Sequence, residues 1–250
     1  MANDNNNVWG LTGRVLPSRQ TDQTYGPLRS TARGELVTAP IGKPMIGLAD
    51  EGSYFVATNP TIGTGIAGIA AADGFDALET LFYLRNTDSD SGAKRLYLDF
   101  MELACTVVDT NGTNVRYDMH IDNTSRFSSG GTAITPVNVN MDSAAATIAT
   151  LRFGAVVTTA ASADVRYLGG RLVSSTDLVA DDTFRFEFGS PGGGSNVISN
   201  LSAEATLPRG YIVAAPPVVL GPGDCFLFSI NCASQSGAAT WSFNAGWYER

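Results

Sequence analysis

The chain has 250 residues, of which 44% are hydrophobic and only 16% are charged, so it can bury a large core and is not a disordered protein. Charge is divided unevenly, since residues 1–45 carry a net charge of +2 and residues 46–250 a net charge of −10. An acidic body excludes nucleic acid as the partner, because binding phosphates requires a basic surface. The longest uncharged run, Val56–Ala72, is rich in glycine and threonine, so we predict no contact with a membrane.

Residues 1–45 are predicted to form an extended N-terminal arm, followed by one domain over residues 46–250. Prolines and glycines, as in Tyr25-Gly26-Pro27-Leu28, interrupt helices and strands throughout the arm. The arm nevertheless keeps apolar residues, which a fully solvated tail does not need. This pattern is typical of a segment that lies on a surface, either on its own domain or on a neighbouring subunit, and the sequence leaves both open.

From Ile46 onward, short runs that alternate between apolar and polar residues indicate about ten strands. Lys94–Val108 is apolar at both parities, which predicts a strand covered on both faces, with or without a bulge. Asp109–Gly112 is typical of a hairpin turn, and Asp76–Leu84 and Ser143–Phe153 are the two weak helix candidates. The predicted strands are Ser53–Thr58, Leu78–Asn86, Lys94–Val108, Asn114–Asp122, Thr147–Thr158, Asp164–Ser174, Thr183–Gly189, Tyr211–Leu220, Cys225–Cys232 and Thr240–Arg250.

The C-terminal stretch Val218–Arg250 gives the clearest indication of the fold. A turn, Leu220–Asp224, precedes two alternating runs joined by a short polar link, which predicts a hairpin. Its core aromatic residues are Phe226, Phe228, Trp241, Phe243 and Trp247. Because a second sheet must cover this apolar face, the predicted fold class is all-β: a jelly-roll β-sandwich preceded by an extended N-terminal arm. An immunoglobulin-like sandwich is the alternative, but its spacing of Cys, Trp and Cys is absent.

The three cysteines are predicted to be buried free thiols. Cys225 and Cys232 lie at opposite parity on one predicted strand, so their side chains point to opposite faces and cannot bridge locally. A disulfide between Cys105 and one of them is the alternative, which a reducing compartment disfavours. The polar stretch Met1–Asn7 lacks the apolar run of a secretory leader, so we expect such a compartment.

The single histidine, His120, lies between Asp118 and Asp122 on the polar side of a predicted strand. Alternate residues on a strand are roughly 7 Å apart, so these three share one face. A catalytic dyad or a metal site uses these residue types, but no Gly-x-Ser-x-Gly motif or second histidine accompanies them. We therefore predict a solvent-exposed strand face, with no catalytic residue and no bound metal.

The segment Asp88–Gly92 resembles the start of a calcium loop but lacks the bidentate glutamate of such loops. We predict a turn whose aspartates hydrogen-bond to their own backbone, with structural calcium as the alternative. No cofactor is predicted, and a small-molecule ligand is not expected.

Several aromatic residues are candidates for a sugar-binding platform. In β-sandwiches such residues belong more often to the core or to a subunit interface, so glycan binding is the secondary interpretation. The candidates are Tyr25, Tyr54, Tyr167, Tyr211, Trp247 and Tyr248.

Two motifs resemble those of virion structural proteins of tailed bacteriophages. One is Leu220–Asp224 followed by an apolar strand and the ending Trp241–Arg250, and the other is the phrase Gly-Thr-Ala-Ile-Thr-Pro-Val-Asn at Gly131–Asn138. The chain is similar to capsid decoration, or cement, proteins. This resemblance implies a jelly roll that associates as a homotrimer on the capsid surface, with an arm that clasps its neighbours.

The resemblance implies a non-enzymatic function: binding to the outer surface of the phage shell and stabilising it. The implied partner is the major capsid protein, and the implied location is the virion, after assembly in the host cytoplasm. The alternative is a tail- or fibre-associated protein that binds host glycans, and a hydrolase is opposed by the missing nucleophile and base. The arm residues implied to contact the capsid or a neighbouring subunit are Trp9, Arg14, Leu16, Arg19, Tyr25, Leu28, Arg29 and Arg33.

Overall fold

The computed structural model describes residues 44–69, 78–89, 94–108, 113–174, 177–189, 196–198, 210–233, 235 and 237–250. The chain divides between Pro44 and Met45 into two units, and all described residues except Pro44 belong to the second. Residues 1–43 of the predicted arm, which include its eight contact residues, lie outside the described residues, and residues 44 and 45 begin a helix, so the arm stays a prediction.

One short helix and fifteen strands make up the described part of the chain. No helix in these ranges is long and apolar enough to cross a membrane. The elements are α1 Pro44–Asp50, β1 Tyr54–Thr58, β2 Ile66–Ala67, β3 Glu79–Asn86, β4 Leu96–Val107, β5 Thr113–Asp122, β6 Phe127–Ile134, β7 Val137–Asn138, β8 Ala149–Thr158, β9 Arg166–Ser174, β10 Thr183–Phe188, β11 Asn196–Ile198, β12 Gly210–Ala215, β13 Val218–Leu220, β14 Cys225–Ala233 and β15 Thr240–Glu249.

The strands form two sheets. The first sheet has the order β11-β12-β10-β4-β15-β1-β7, with β13 beside β4 and β2 beside β15. The second sheet has the order β6-β8-β3-β14-β5-β9. Strands β10 and β12 pair in parallel, whereas the other pairs are antiparallel.

The principal strands have the connectivity of a jelly roll. In chain order they are β1, β3, β4, β5, β9, β10, β14 and β15. Four of them are neighbours in the first sheet, in the order β1-β15-β4-β10, and the other four are neighbours in the second, in the order β3-β14-β5-β9. This arrangement is the double Greek key of a jelly roll. The predicted jelly-roll β-sandwich is therefore confirmed.

Aromatic side chains from both sheets meet in one core. Phe243 on β15 packs against Phe82 on β3 and Phe153 on β8, with ring centroids 6.1 and 4.2 Å apart. Phe186 on β10 lies 4.8 Å from Phe228 on β14. Full burial of one such side chain contributes roughly 1.5–3 kcal/mol, so these contacts hold the two sheets together.

The predicted C-terminal hairpin is wrong, although its five aromatic residues are all buried in the core. Strand β14 pairs with β3 and β5 in the second sheet. Strand β15 pairs with β4 and β1 in the first. The two strands therefore lie in opposite sheets, and their aromatic side chains enter the core from opposite sides. Leu227 is also buried, on the other face of β14, so this strand is covered on both faces.

The buried positions of strand β4 change parity halfway along the strand. Leu98 and Met101 are both buried in the core although they differ in parity. The register against β15 shifts at Asp99, between the pairs made by Leu98 and Phe100, so Asp99 is the extra residue of a β-bulge. The bulge, rather than cover on both faces, explains the apolar residues at both parities.

Three further expectations are corrected. A hairpin turn at Asp109–Gly112 is wrong, because β4 and β5 lie in different sheets; the turn itself lies outside the described residues. The two helix candidates are wrong where they are described, since β3 and β8 occupy them. No strand is predicted between Asp122 and Thr147, where the structure has β6 and β7.

The motif Gly131–Asn138 carries the chain from one sheet to the other. Its first half belongs to β6, where Ile134 is buried. Its second half forms β7, which pairs with β1 in the first sheet. The Asn138 side chain then donates a hydrogen bond of 2.8 Å to the carbonyl of Gly52. The motif is thus the connection by which the chain passes from the second sheet to the first.

All three cysteines are free and buried, as predicted. Cys105 and Cys232 belong to the core between the sheets, whereas Cys225 belongs to a smaller cluster on the outer face of the second sheet. Burial, with a smaller effect of Cys232, raises the pKa of the Cys105 thiol to about 12, and burial raises the pKa of Cys225 to about 11. These thiols are therefore protonated at neutral pH.

Candidate functional site

The predicted exposed face of β5 is buried at its C-terminal end. His120 and Asp122 are each only 2% exposed. The residues that follow β5 lie over this face. The ring of Tyr167 on β9 also packs beside His120, with the two ring centroids 5.6 Å apart. The expectation of a solvent-exposed strand face is therefore wrong for these two residues, because the loop after β5 covers them.

A buried arginine, Arg126, is the main partner of His120. Its Nη1 donates to His120 Nε2 over 2.8 Å. Its Nε and Nη2 both donate to the carbonyl of Thr159, over 3.0 and 2.8 Å. Arg126 is only 1% exposed, so these bonds replace the water that the guanidinium gives up on folding.

The hydrogen bond to Arg126 fixes the protonation state of His120. A guanidinium can only donate, so Nε2 must accept and the ring proton must lie on Nδ1. Burial and, secondly, the charge of Arg126 lower the pKa of His120 to about 4, against a smaller opposing effect of Asp122. His120 is therefore neutral at neutral pH.

Asp122 does not orient His120 in the manner of a catalytic carboxylate. Burial works to raise the pKa of Asp122, but hydrogen bonds from Ser162 and Thr124 together hold it below its ordinary value. The backbone NH of Ser162 donates over 2.9 Å, and the backbone NH and hydroxyl of Thr124 each donate over 3.2 Å. Asp122 is thus an ionised carboxylate that ties two loops together.

A cleft of about 450 Å³ lies beside this cluster and is lined by the carboxyl residues Asp122, Asp164 and Asp224. Each carboxylate already accepts a hydrogen bond from the protein: Asp164 from the Asn123 side chain at 2.8 Å and Asp224 from the NH of Gly221 at 2.8 Å. Within the described ranges, no group of three or more His, Cys, Asp or Glu side chains is placed to hold a metal ion.

The predicted calcium-like turn is only partly described. The Asp88 carboxylate accepts a hydrogen bond of 2.8 Å from the backbone NH of Lys94. The backbone NH of Asp88 donates a hydrogen bond of 2.9 Å to the side chain of Asn86. Residues 90–93 lie outside the described residues. The described half of the turn has the side chain to backbone bonding that the sequence predicts.

The outer face of the first sheet carries a second group of polar and aromatic residues. Arg185 on β10 donates to Glu102 at 3.3 Å and to Glu187 at 3.1 Å. The same guanidinium lies 4.8 Å from the centre of the Phe100 ring. All of these side chains are only partly exposed, and the guanidinium is held in one position between two carboxylates and a ring.

Tyrosine residues lie beside this group on the same face of the first sheet. The rings of Tyr97 and Tyr248 stack with centroids 4.7 Å apart and an interplanar angle of 4°. The hydroxyl of Tyr54 donates to Asp99 over 2.7 Å. Gly246 lies beneath, where a Cβ would lie 2.5 Å from both the Phe100 ring and the Tyr54 hydroxyl, so a side chain there would displace these groups. We call Tyr97, Phe100, Glu102, Arg185, Glu187 and Tyr248 the outer face.

The structure disperses the described candidates for a sugar-binding platform. Tyr54, Tyr211 and Trp247 are buried, and Trp247 belongs to the core. Tyr25 lies outside the described residues. Tyr167 is 65% exposed but belongs to the second sheet, whereas Tyr248 belongs to the first. The described candidates therefore do not form one surface.

Sequence patterns miss three residues with organising roles: Arg126 and Arg185 in the sites above, and Glu249, whose carboxylate joins the end of β15 to the residues before β8. Arg126 lies in a polar link, Glu249 lies next to the C-terminus, and Arg185 lies on a strand whose carboxylate partner Glu102 is distant in sequence. For Arg185, a local signal exists, because Glu187 two residues later shares its strand face. For Arg126 no local signal exists, since its partners come from other elements. Glu249 has one local partner, the Trp247 indole two residues earlier, but Thr147 and Ile148 come from a distant segment.

Comparison with known proteins identifies no relative. No protein-family model matches the sequence, and neither a curated protein nor a solved structure matches it significantly.

Proposed function

We propose that the chain is a non-enzymatic virion structural protein of the capsid decoration type, which binds the outer surface of a phage shell and stabilises it. The observation that carries the proposal is the outer face of the first sheet. Its aromatic rings and its arginine are held in place by contacts within the sheet, so they lose little conformational freedom when a partner binds. Aromatic residues and arginine are enriched in protein interfaces.

The jelly-roll β-sandwich supports the same function, because it is the architecture that the resemblance to decoration proteins implies. The only histidine, His120, is buried against Arg126 and cannot reach a substrate in the described conformation. In this proposal the protein associates as a homotrimer, the major capsid protein is the partner, and the arm at residues 1–45 lies across neighbouring capsid subunits.

Co-sedimentation with phage shells that lack the protein tests this proposal. The full chain is expected to sediment with the shells, and a variant that lacks residues 1–45 is expected to stay a folded trimer but remain in the supernatant. The double variant Tyr97→Ser, Tyr248→Ser is expected to bind more weakly. The matched control is Tyr167→Ser, an exposed aromatic on the other sheet, which is expected to bind normally. Undiminished binding by the truncated chain would contradict the role of the arm.

A tail- or fibre-associated glycan-binding protein is the second candidate. The stacked, partly exposed pair Tyr97 and Tyr248 favours it, because aromatic faces stack on sugar rings. A glycan array separates the two candidates. Binding that the double variant Tyr97→Ser, Tyr248→Ser abolishes would favour the glycan function, and no binding at millimolar sugar would exclude it.

A further inference from the structure

The residues that follow β5 cross the outer face of the second sheet and cover it. We call Asn123–Phe127 the cover segment. Cys225 donates its Sγ hydrogen to the carbonyl of Thr124 over 3.1 Å, and the hydroxyls of Tyr83 and Ser125 are 3.0 Å apart. Phe127 packs against the same cluster, with its ring 6.0 Å from that of Tyr83. The sheet residues beneath the cover segment are almost fully buried.

Arg126 is the residue that fastens the cover segment. Its side chain donates two hydrogen bonds to the carbonyl of Thr159, and its own carbonyl accepts one of 2.8 Å from the NH of Thr159. These bonds hold the segment to the end of β8. The bond from Nη1 to His120 holds the segment to the face of the second sheet.

The bond between Arg126 and His120 exists only while the imidazole is neutral. A proton added at Nε2 turns this atom into a donor, so two donors would then face each other over 2.8 Å. Both side chains would also be cationic in a site that water does not reach, where like charges repel strongly. Protonation of His120 therefore removes this bond and places two cations side by side, which weakens the attachment of the cover segment while its contacts with Cys225, Tyr83 and Thr159 remain.

Other charged and titratable groups surround His120 and moderate this effect. Asp122 favours protonation of the imidazole, while burial and Arg126 oppose it and dominate. The register of the sheet places further groups on the strands that flank His120. These groups are Asp118 and Asp122 on β5, Tyr167 and Arg166 on β9, Cys225 on β14, Tyr83 and Arg85 on β3, Arg152 on β8, and Arg126 on the cover segment.

We propose that the cover segment is a pH-operated latch: it is closed while His120 accepts the hydrogen bond of Arg126, and it opens when His120 takes up a proton. The opening is local, because the cover segment rests on the small cluster around Cys225 and Leu227, which is separate from the core between the sheets. Opening exposes that cluster as a new apolar surface while the jelly roll stays folded.

The effect of pH on the opening of the latch follows from the linkage between proton binding and opening. In the closed form the pKa of His120 is about 4, and in the open form it returns to its ordinary value of 6.5. The open form therefore binds the proton more tightly, and acid favours it. Lowering the pH from neutral to about 4 raises the ratio of open to closed molecules by about a hundredfold.

The cysteines provide the test, because Cys225 lies under the cover segment while Cys105 and Cys232 lie in the core. The full chain is incubated with 4,4′-dithiodipyridine, a thiol reagent that is active in acid, at neutral pH and at pH values down to about 4. Labelled residues are identified by mass spectrometry of peptides. We expect the labelling rate of Cys225, corrected for the pH dependence of the reagent with a model thiol, to rise by about a hundredfold. Cys105 and Cys232 are expected to stay protected.

The variant His120→Gln is the control, since glutamine keeps an acceptor for Arg126 but does not titrate. Its Cys225 is expected to stay protected at low pH. Because His120 is the only histidine of the chain, nuclear magnetic resonance of its imidazole in the unmodified protein gives an independent check. The midpoint of Cys225 labelling should coincide with the titration of the imidazole. Simultaneous labelling of all three cysteines, labelling of His120→Gln like that of the unmodified chain, or two different midpoints would each overturn the proposal.

Discussion

Buried polar residues of this protein hold separate segments of the chain together. Glu249 is the clearest case, since it is 3% exposed and its carboxylate accepts hydrogen bonds from three groups. These are the Thr147 hydroxyl at 2.5 Å, the NH of Ile148 at 3.1 Å and Nε1 of Trp247 at 3.1 Å. The last strand of the jelly roll is thereby fixed to the segment that enters β8.

Glu249→Gln tests this role. The amide keeps one acceptor oxygen but turns two hydrogens toward groups that donate, so we expect a loss of about 1.5–3 kcal/mol in the free energy of unfolding. Urea denaturation measures it. The matched control is Glu187→Gln on the outer face, whose carboxylate is partly exposed and pairs with Arg185; a change of about 1 kcal/mol or less is expected there. Equal losses in the two variants would contradict the role of Glu249.

His120 makes the stability of the protein depend on pH. Its folded pKa, about 4, lies below the ordinary 6.5, so the unfolded chain binds the proton more readily. The contribution of neutral His120 is therefore complete above pH 6.5 and is lost as the pH falls from 6.5 to about 4. This loss is on the order of 3 kcal/mol.

Urea denaturation over this pH range compares the protein with His120→Gln. The free energy of unfolding of the variant should fall less steeply with falling pH, because glutamine has no proton to gain. Parallel curves would show that His120 has the same pKa in the folded and unfolded chain.

At the scale of elements, the strand β6 depends on a glycine with a backbone conformation that other residues rarely adopt. Gly130 has φ of +74°, and a Cβ there would lie 2.5 Å from the backbone carbonyl oxygen of Ala155 on β8. Any side chain at this position would strain the backbone and would collide with the carbonyl oxygen of Ala155. This position adjoins the motif Gly131–Asn138, so the crossing between the sheets begins at a position restricted to glycine.

Gly130→Ala is expected to lower the free energy of unfolding by about 1–3 kcal/mol, because the backbone must move to admit the methyl group. Thermal unfolding followed by circular dichroism measures the change. Gly169→Ala on β9 is the control, since the nearest atom to its Cβ would be the Met119 methyl at 3.7 Å, an ordinary contact. A control variant that unfolds as early as Gly130→Ala would contradict this explanation.

Alternation in the sequence predicts the strands better than it predicts their partners. Phe184, Phe186 and Phe188 alternate with polar residues, and the structure buries all three. The same rule places Phe226 and Trp241 on core-facing sides of their strands but does not say that β14 and β15 lie in different sheets. Pairing depends on contacts far apart in the chain, which local alternation does not record.

The site around His120 is harder to predict for a related reason. His120 has the parity of a solvent-facing residue, and it does face away from the core between the sheets. It is buried because the cover segment folds back over it, and Arg126 supplies its partner from that segment. A polar link of ordinary composition gives no sign that it will cover a sheet.

At the scale of the whole molecule, the described domain is a jelly-roll sandwich with a fixed outer face and a covered second sheet. Its net charge is strongly negative, whereas residues 1–45 are weakly positive. Opposite charge on the two parts of the chain suits contacts with more than one surface of a particle. In the proposed function, residues 1–45 and the acidic domain would therefore contact different surfaces of the shell.

The copy number of the protein in purified phage particles tests the proposed function most directly. Quantitative mass spectrometry against the major capsid protein gives this number. A decoration protein that covers a symmetric shell should be present in on the order of hundreds of copies per particle. A handful of copies, as in a tail or fibre, or absence from the particle, would contradict the proposal.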